Sequence, residues 1–214
     1  MTLRTMSLTL ESHMATATAF ARQPQPTAAA PTPHPSLARH PGFNRLFQPG
    51  ALTLGLILPL ETHPDGPAPT MRHHGQMAQR ADELGFGALW LRDVPFYDPS
   101  YGDVAHVFES MVYMGWLAAV TERIVLGTTG IVLPTHEPMY LAKQAATLDH
   151  LSNGRLVLGL SSGDRESDYP MLGLDFDTRG ERYRDAYNVL RTLTEQSFPN
   201  FQSERFGGSR GTLD

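Results

Sequence analysis

Residues 124–163 read IVLGTTGIVLPTHEPMYLAKQAATLDHLSNGRLVLGLSSG. Two short apolar, β-branched runs bound this stretch, Ile124-Val125-Leu126-Gly127 and Leu156-Val157-Leu158-Gly159-Leu160. Both are too short for helices and neither alternates with polar residues. Continuous runs of that kind predict strands buried on both faces, as in a parallel sheet. Between them Pro138 suits a first helical turn, Leu141, Ala145 and Leu148 recur at helical spacing, and Asn153-Gly154 closes the helix. The stretch is therefore one β-α-β unit, with a right-handed crossover expected. Small polar residues stand just beyond each strand, where barrel enzymes place their chemistry.

The same unit recurs outward from it. Residues 52–58, LTLGLIL, form the first predicted strand, and residues 88–91, ALWL, the second, with Arg92 and Asp93 at its C-terminal end. Thr70 is expected to cap a helix marked by Met71, Ala78, Ala81 and Leu84 and ended by Gly85. Asp103 is expected to cap a second helix to residue 119, apolar nearly all round. Thr178-Arg179-Gly180-Glu181 has the form of a capping box, and the helix it starts shows a stripe of Tyr183, Ala186, Tyr187, Leu190 and Leu193. No periodicity is legible from 198 to 214. Strand starts near 53, 88, 124 and 156 give four β-α units. An eightfold barrel takes about 250 residues, so the expected fold is α/β, the first half of a TIM (β/α)8 barrel. A complete open four-stranded sheet is the alternative, although such sheets usually carry their ligand loop after the first strand.

Composition narrows the function classes. The 214 residues carry a net charge of −5, yet residues 1–49 hold four arginines and one acid, so the remainder carries −8. That balance argues against a basic nucleic-acid-binding surface. There is no cysteine, hence no thiolate nucleophile and no disulfide framework. No apolar run approaches the roughly 18 residues of a membrane span. Glu11 and His13 interrupt the place where a signal peptide would have its apolar core, so a cytoplasmic protein without membrane contact is expected. Residues 1–45 are expected to be a disordered arm rich in Pro, Ala and Thr, with 46–214 forming the half-barrel, and Met6 and Met14 offer later starts.

Five stretches together carry a resemblance: LFQPGALTLGLILPLET (46–62), ADELGFGALWLRDVP (81–95), IVLGTTGIVLPTHEP (124–138), ATLDHLSNGRLVLGLSSGDR (146–165) and FDTRGERYRDA (176–186). They resemble the bacterial luciferase-like flavin monooxygenases, within them a subgroup of luciferase-type oxidoreductases. The resemblance runs from residue 46 to about 205, and the chain would be C-terminally truncated against a whole barrel. It implies a TIM barrel that binds reduced FMN, or in some branches the deazaflavin F420, at the C-terminal ends of its strands. By position, Thr128-Thr129-Gly130 matches the family's small-residue triplet against the flavin ring, which often includes a non-proline cis peptide. Ser161-Ser162-Gly163-Asp164-Arg165 matches the strand-four end near the ribityl chain and phosphate, for which hydroxyls, backbone N–H groups and an arginine are apt. The resemblance thus makes Asp93, Thr128, Thr129, Gly130, Ser161, Ser162, Gly163 and Arg165 the candidate cofactor-binding residues. Two departures stand out. Luciferases proper have an arginine where Ser162 stands, and the histidine pair that follows their strand-two acid is Val94-Pro95 here, so the luciferase base is missing and the catalytic residues stay unassigned.

The implied function is a flavin-dependent oxidoreductase, a two-component monooxygenase acting on a small organic substrate with oxygen and reduced FMN from a separate flavin reductase. F420-dependent hydride transfer is one alternative. The other is a truncated half-barrel without catalysis, surviving as a folding or dimerisation module, and a homodimer is expected in either case. Other residues have plainer readings. His136 and His150 read as structural or solvent-exposed, and the adjacent His73 and His74 diverge on a helix, so no metal site is expected. The aromatic loop with Phe96, Tyr97 and Tyr101 either walls a substrate pocket or packs on the barrel top. Gly159-Leu160-Ser161-Ser162-Gly163 fits the hydrolase nucleophile elbow, but no histidine follows His150 to serve as its base.

Overall fold

The computed structural model describes residues 35–60, 69–101 and 108–213. After a 3₁₀ turn at Leu37–Arg39 come α1 (Pro41–Leu46), β1 (Gly55–Ile57), α2 (His74–Glu83), β2 (Ala88–Leu91), α3 (Ser110–Val120), β3 (Val125–Thr128) and β4 (Ile131–Val132). There follow α4 (Pro138–Leu151), β5 (Leu156–Val157), β6 (Leu160–Ser161), α5 (Asp168–Met171), α6 (Arg179–Glu195), β7 (Asn200–Ser203) and β8 (Gly207–Arg210).

The strands β1, β2, β3 and β5 lie side by side in that order, all parallel. β4 and β6 continue the last pairing as a short parallel ladder, Ile131 opposite Leu160 and Val132 opposite Ser161. Each strand's successor is its neighbour on the same side, so the order never reverses. A doubly wound open sheet needs such a reversal and binds ligand there; a sheet wound in one direction is the pattern of a barrel segment. The helices follow suit: α2 packs on α3, α3 on α4 and α4 on α6.

Alternation along the strands sends side chains to two cores. Leu89, Leu91 and Leu126 face the helices in the larger one, with Met114, Leu117, Leu141 and Leu148. Ala88 and Val125 face the other way, under Leu46 of α1 and beside Trp90 and Val157. The Trp90 ring spreads over both neighbouring strands, where a Cβ on Gly55 or Gly127 would collide with it. Glycine on these strands thus answers to one indole.

Several expectations are corrected. The first strand shortens from 52–58 to three residues. The strand expected over 156–160 divides into β5 and β6, because the Thr128 hydroxyl accepts from Gly159 N–H (3.0 Å) and donates to Gly159 C=O (2.8 Å). A side chain there replaces the backbone ladder. The aperiodic tail contains an antiparallel hairpin, β7–β8, anchored on α6 by buried Phe206 and by Arg205, which bridges Glu181 (3.1 Å) and Asp185 (2.9 Å). Thr178 makes no side-chain cap, its hydroxyl instead donating to Asp175 C=O at 3.0 Å. Thr70 accepts from Arg72 N–H, and α2 begins later, after His73. Glu109, whose carboxylate accepts from Val112 N–H, caps α3; the expected cap Asp103 lies outside the described residues, as does the arm over 1–34. Residues 37–39 and 41–46, assigned by the sequence mostly to that arm, are helical. Asn153, Gly154 and Gly85 do take the left-handed conformation that ends their helices. Among the described residues no helix is long and apolar enough to cross a membrane.

Candidate active site

Parallel strands deliver their C-terminal ends to one rim, and there the chain leaves a cavity of about 330 Å³. Its wall takes Arg92 and Asp93 from the end of β2, Thr129 and Gly130 from the β3–β4 connection, and Ser161, Ser162 and Gly163 from β6 onward. The tails after β3 and β6 both reach this rim and lie side by side on the cavity wall.

The β3–β4 connection owes its shape to close backbone contact. The Thr129–Gly130 peptide is cis, and Thr129 N–H donates to Leu91 C=O at 2.8 Å. A Cβ on Gly130 would come within 2.6 Å of the Gly159 carbonyl carbon, so only glycine lets the two tails approach. Gly163 has φ 76° and is hemmed in likewise, its missing Cβ 2.6 Å from Val132 Cγ1 and 2.7 Å from the Tyr169 hydroxyl. That hydroxyl donates to Ser162 C=O at 2.8 Å, and burial raises the Tyr169 pKa, keeping it a donor.

Seven of the eight sequence candidates line the cavity: Asp93, Thr129, Gly130, Ser161, Ser162, Gly163 and Arg165. Thr128 does not; its side chain, 2% exposed, turns inward to Gly159. The Ser161 hydroxyl donates to Ile131 C=O at 3.4 Å, and residues 162–167 run on as a loop rather than opening a helix at once. Arg165 is 7% exposed, donates to Phe96 C=O (3.2 Å), lies 3.4 Å from Asp168 and packs its guanidinium on the Tyr101 ring (4.5 Å). The Tyr101 hydroxyl donates to Asp164 C=O at 3.3 Å. The aromatic loop therefore packs on the rim, and Val94 and Pro95, not its aromatic rings, reach the cavity wall.

The residue that sequence reasoning missed is His136. Its Nε2 lies 2.7 Å from Asp93 Oδ2, which also accepts Val132 N–H at 2.8 Å. Burial opposes a charge on this imidazole, but the hydrogen bond and negative charge of Asp93, with Glu109 beyond, prevail and raise its pKa above the ordinary histidine value. Asp93 is thus fixed on one oxygen by two donors. The only sequence signal for His136 was its place in the loop after the third strand; nothing in spacing pairs it with residue 93.

Comparison with known proteins bears on this rim. A model of the luciferase-like monooxygenase family matches residues 52–212. Limonene 1,2-monooxygenase of Rhodococcus erythropolis is 32% identical over 118 residues, 55% of this chain and 29% of that protein. The F420-dependent glucose-6-phosphate dehydrogenase of Amycolatopsis mediterranei is 29% identical over 136 residues, 61% of this chain and 40% of that protein. Among solved structures, the oxygenating constituent of 3,6-diketocamphane monooxygenase of Pseudomonas putida, in complex with FMN, superposes with a TM-score of 0.62 at 18% identity, over 74% of this chain and 43% of that one. The chain spans between about three and four tenths of the length of these curated relatives.

Proposed function

The chain belongs to the luciferase-like monooxygenase family, and from that premise we propose that residues 46–214 are the first four β-α units of a (β/α)8 barrel whose strand-end cavity binds reduced FMN. The activity proposed is that of a two-component monooxygenase, supplied with reduced flavin by a separate reductase and acting on a small organic substrate. The observation that carries this reading is the pair of glycine-bearing tails, Thr129-Gly130 and Ser161-Ser162-Gly163, side by side on one cavity wall.

The residues present suit the group. A volume of about 330 Å³ is at the lower end of the roughly 300–1,000 Å³ of small-molecule pockets. Gly130 and Gly163 let the two tails close up into one wall, the hydroxyls of Thr129, Ser161 and Ser162 suit a polyol, and the guanidinium groups of Arg92 and Arg165 on the same wall suit a phosphate. In this reading Asp93, Thr129, Gly130, Ser161, Ser162, Gly163 and Arg165 hold the cofactor, and Thr128 acts indirectly by fixing Gly159. Bound reduced flavin would supply the electrons and the activation of oxygen; the protein orients it and excludes water.

The F420-dependent relative supports a second reading, hydride transfer with F420. Titrating the purified full chain separately with FMN and with F420, following flavin fluorescence, discriminates the two. Micromolar affinity for FMN with weaker F420 binding is expected. The reverse order transfers the chain to the F420 branch, and binding of neither leaves a folding or dimerisation module without a redox site.

A further inference from the structure

The Asp93–His136 contact joins a group on the cavity wall to one behind it. Asp93 comes from β2, and His136 from the connection between β4 and α4. The carboxylate cannot swing away, because Val132 N–H holds the same Oδ2 that His136 engages. Behind it the imidazole keeps 25% of its side-chain surface open, against 12% for Asp93. One end of this short chain faces the cavity and the other reaches solvent.

We propose that Asp93 and His136 form a proton-exchange pair for the cavity, with Asp93 the catalytic carboxylate and His136 the positioning residue that recharges it. In one cycle a proton leaves Nε2 of His136 for the Asp93 carboxylate, and the carboxylic acid so formed gives a proton to an acceptor in the cavity. The pair passes from no net charge to one negative charge, and solvent returns the proton to the imidazole. No redox partner enters this balance. The charged groups around the imidazole are Asp93 at the end of β2, Glu109 at the head of α3 and, in its own connection, Glu137, which Arg182 of α6 offsets. The two acids nearest it favour the protonated form.

The proposal rests on the flavin reading only for its second measurement. The first follows the imidazole alone, by NMR of histidine-labelled protein across pH 5.5 to 9, with His136 identified among the nine histidines as the signal missing from H136Q. Its midpoint is expected above about 6.5, to fall by at least one pH unit in D93N, and to be restored in D93E, which keeps the charge. A midpoint that D93N leaves in place overturns the pair. The second follows flavin affinity over the same range, using FMN and riboflavin. The wild type is expected to change its Kd at least threefold around the His136 midpoint, and H136Q to bind without that inflection. An inflection H136Q shares belongs to the flavin phosphate, whose second pKa is about 6, and counts against the pair, as does a flat wild-type profile. If no variant binds flavin at any pH, the proposed function fails, and the imidazole titration alone decides this one.

Discussion

Arg155 is 6% exposed and ends in a shell of oxygens. It donates to Ser152 C=O (2.7 Å), Thr121 Oγ and Ile124 C=O (2.9 Å each), Ala118 C=O (3.0 Å) and Thr121 C=O (3.1 Å). One guanidinium thereby gathers the C-terminus of α3, the start of β3 and the end of α4. Arg155→Ala orphans all five acceptors and is expected to cost about 3 kcal/mol, measured by urea unfolding; Arg155→Lys, with three donors on one nitrogen, recovers only part of it. His136 offers a second test at this scale. Its pKa is raised on folding, so its contribution is complete below the unfolded value of about 6.5 and is lost as pH rises through the folded value. The stability advantage of wild type over D93N should accordingly shrink between pH 6 and pH 9 in chemical denaturation. The two residues differ in legibility. Arg155 sits in a stretch whose resemblance to known sequences is strong, whereas a lone loop histidine has no pattern, and the register of β2 against β3, set by far-apart residues, is what brings it to Asp93.

Elements obey their neighbours more than their own propensities. Gly127 sits in the middle of a strand, a costly place for glycine, because the Trp90 indole of the adjacent strand occupies the space of its Cβ. Gly127→Ala is expected to destabilise by about 2 kcal/mol through overpacking. In W90L the same change should cost less than half as much, and a double-mutant cycle by thermal or urea unfolding reads the coupling. If Gly127→Ala is equally costly in both backgrounds, the indole is not the reason for the glycine. Existence and order of the four main β-α units were legible, since hydrophobic runs and glycine stops are local signals. The break between β5 and β6 was not, because it depends on the Thr128 hydroxyl reaching across to Gly159. Nor was the β7–β8 hairpin: Asn200, Gln202, Gly207 and Gly208 give no alternating apolar pattern, and its hold on the body is Phe206 packed among α6 residues. Caps failed for a related reason, a hydroxyl at 70 or 178 being a possible cap that other local hydrogen bonds claimed.

At the scale of the molecule the two ends of the sheet have different duties. The C-terminal rim holds the cavity, with its closely packed glycines and its proton pair. The N-terminal rim holds Arg155 and Asp82, the latter 4% exposed. Asp82 Oδ2 accepts Glu122 N–H and Arg123 N–H at 2.8 Å each, and its other oxygen faces Arg123 (3.6 Å) and Arg45 (3.7 Å). It thus ties α1, α2 and the turn before β3 together. Burial pushes the carboxyl pKa up, but backbone donors at Arg123, Glu122 and Ile124 and the Arg123 charge bring it below the ordinary value. A depressed folded pKa gives stability that is present above the unfolded value of about 3.9 and is lost as pH falls through the folded one. Asp82→Asn should therefore lower stability by about 2 kcal/mol at neutral pH, and its difference from wild type should narrow below pH 4 in denaturant titrations. Because the substitution lies at the far rim, the flavin Kd of the folded fraction should stay within twofold. Gly130→Ala should do the reverse, weakening flavin binding at least tenfold by forcing the tails apart, with a smaller loss of stability than Asp82→Asn. Should both variants lose affinity and stability in equal proportion, the division of labour between the two rims does not hold, and the cavity's shape depends on the whole sheet at once.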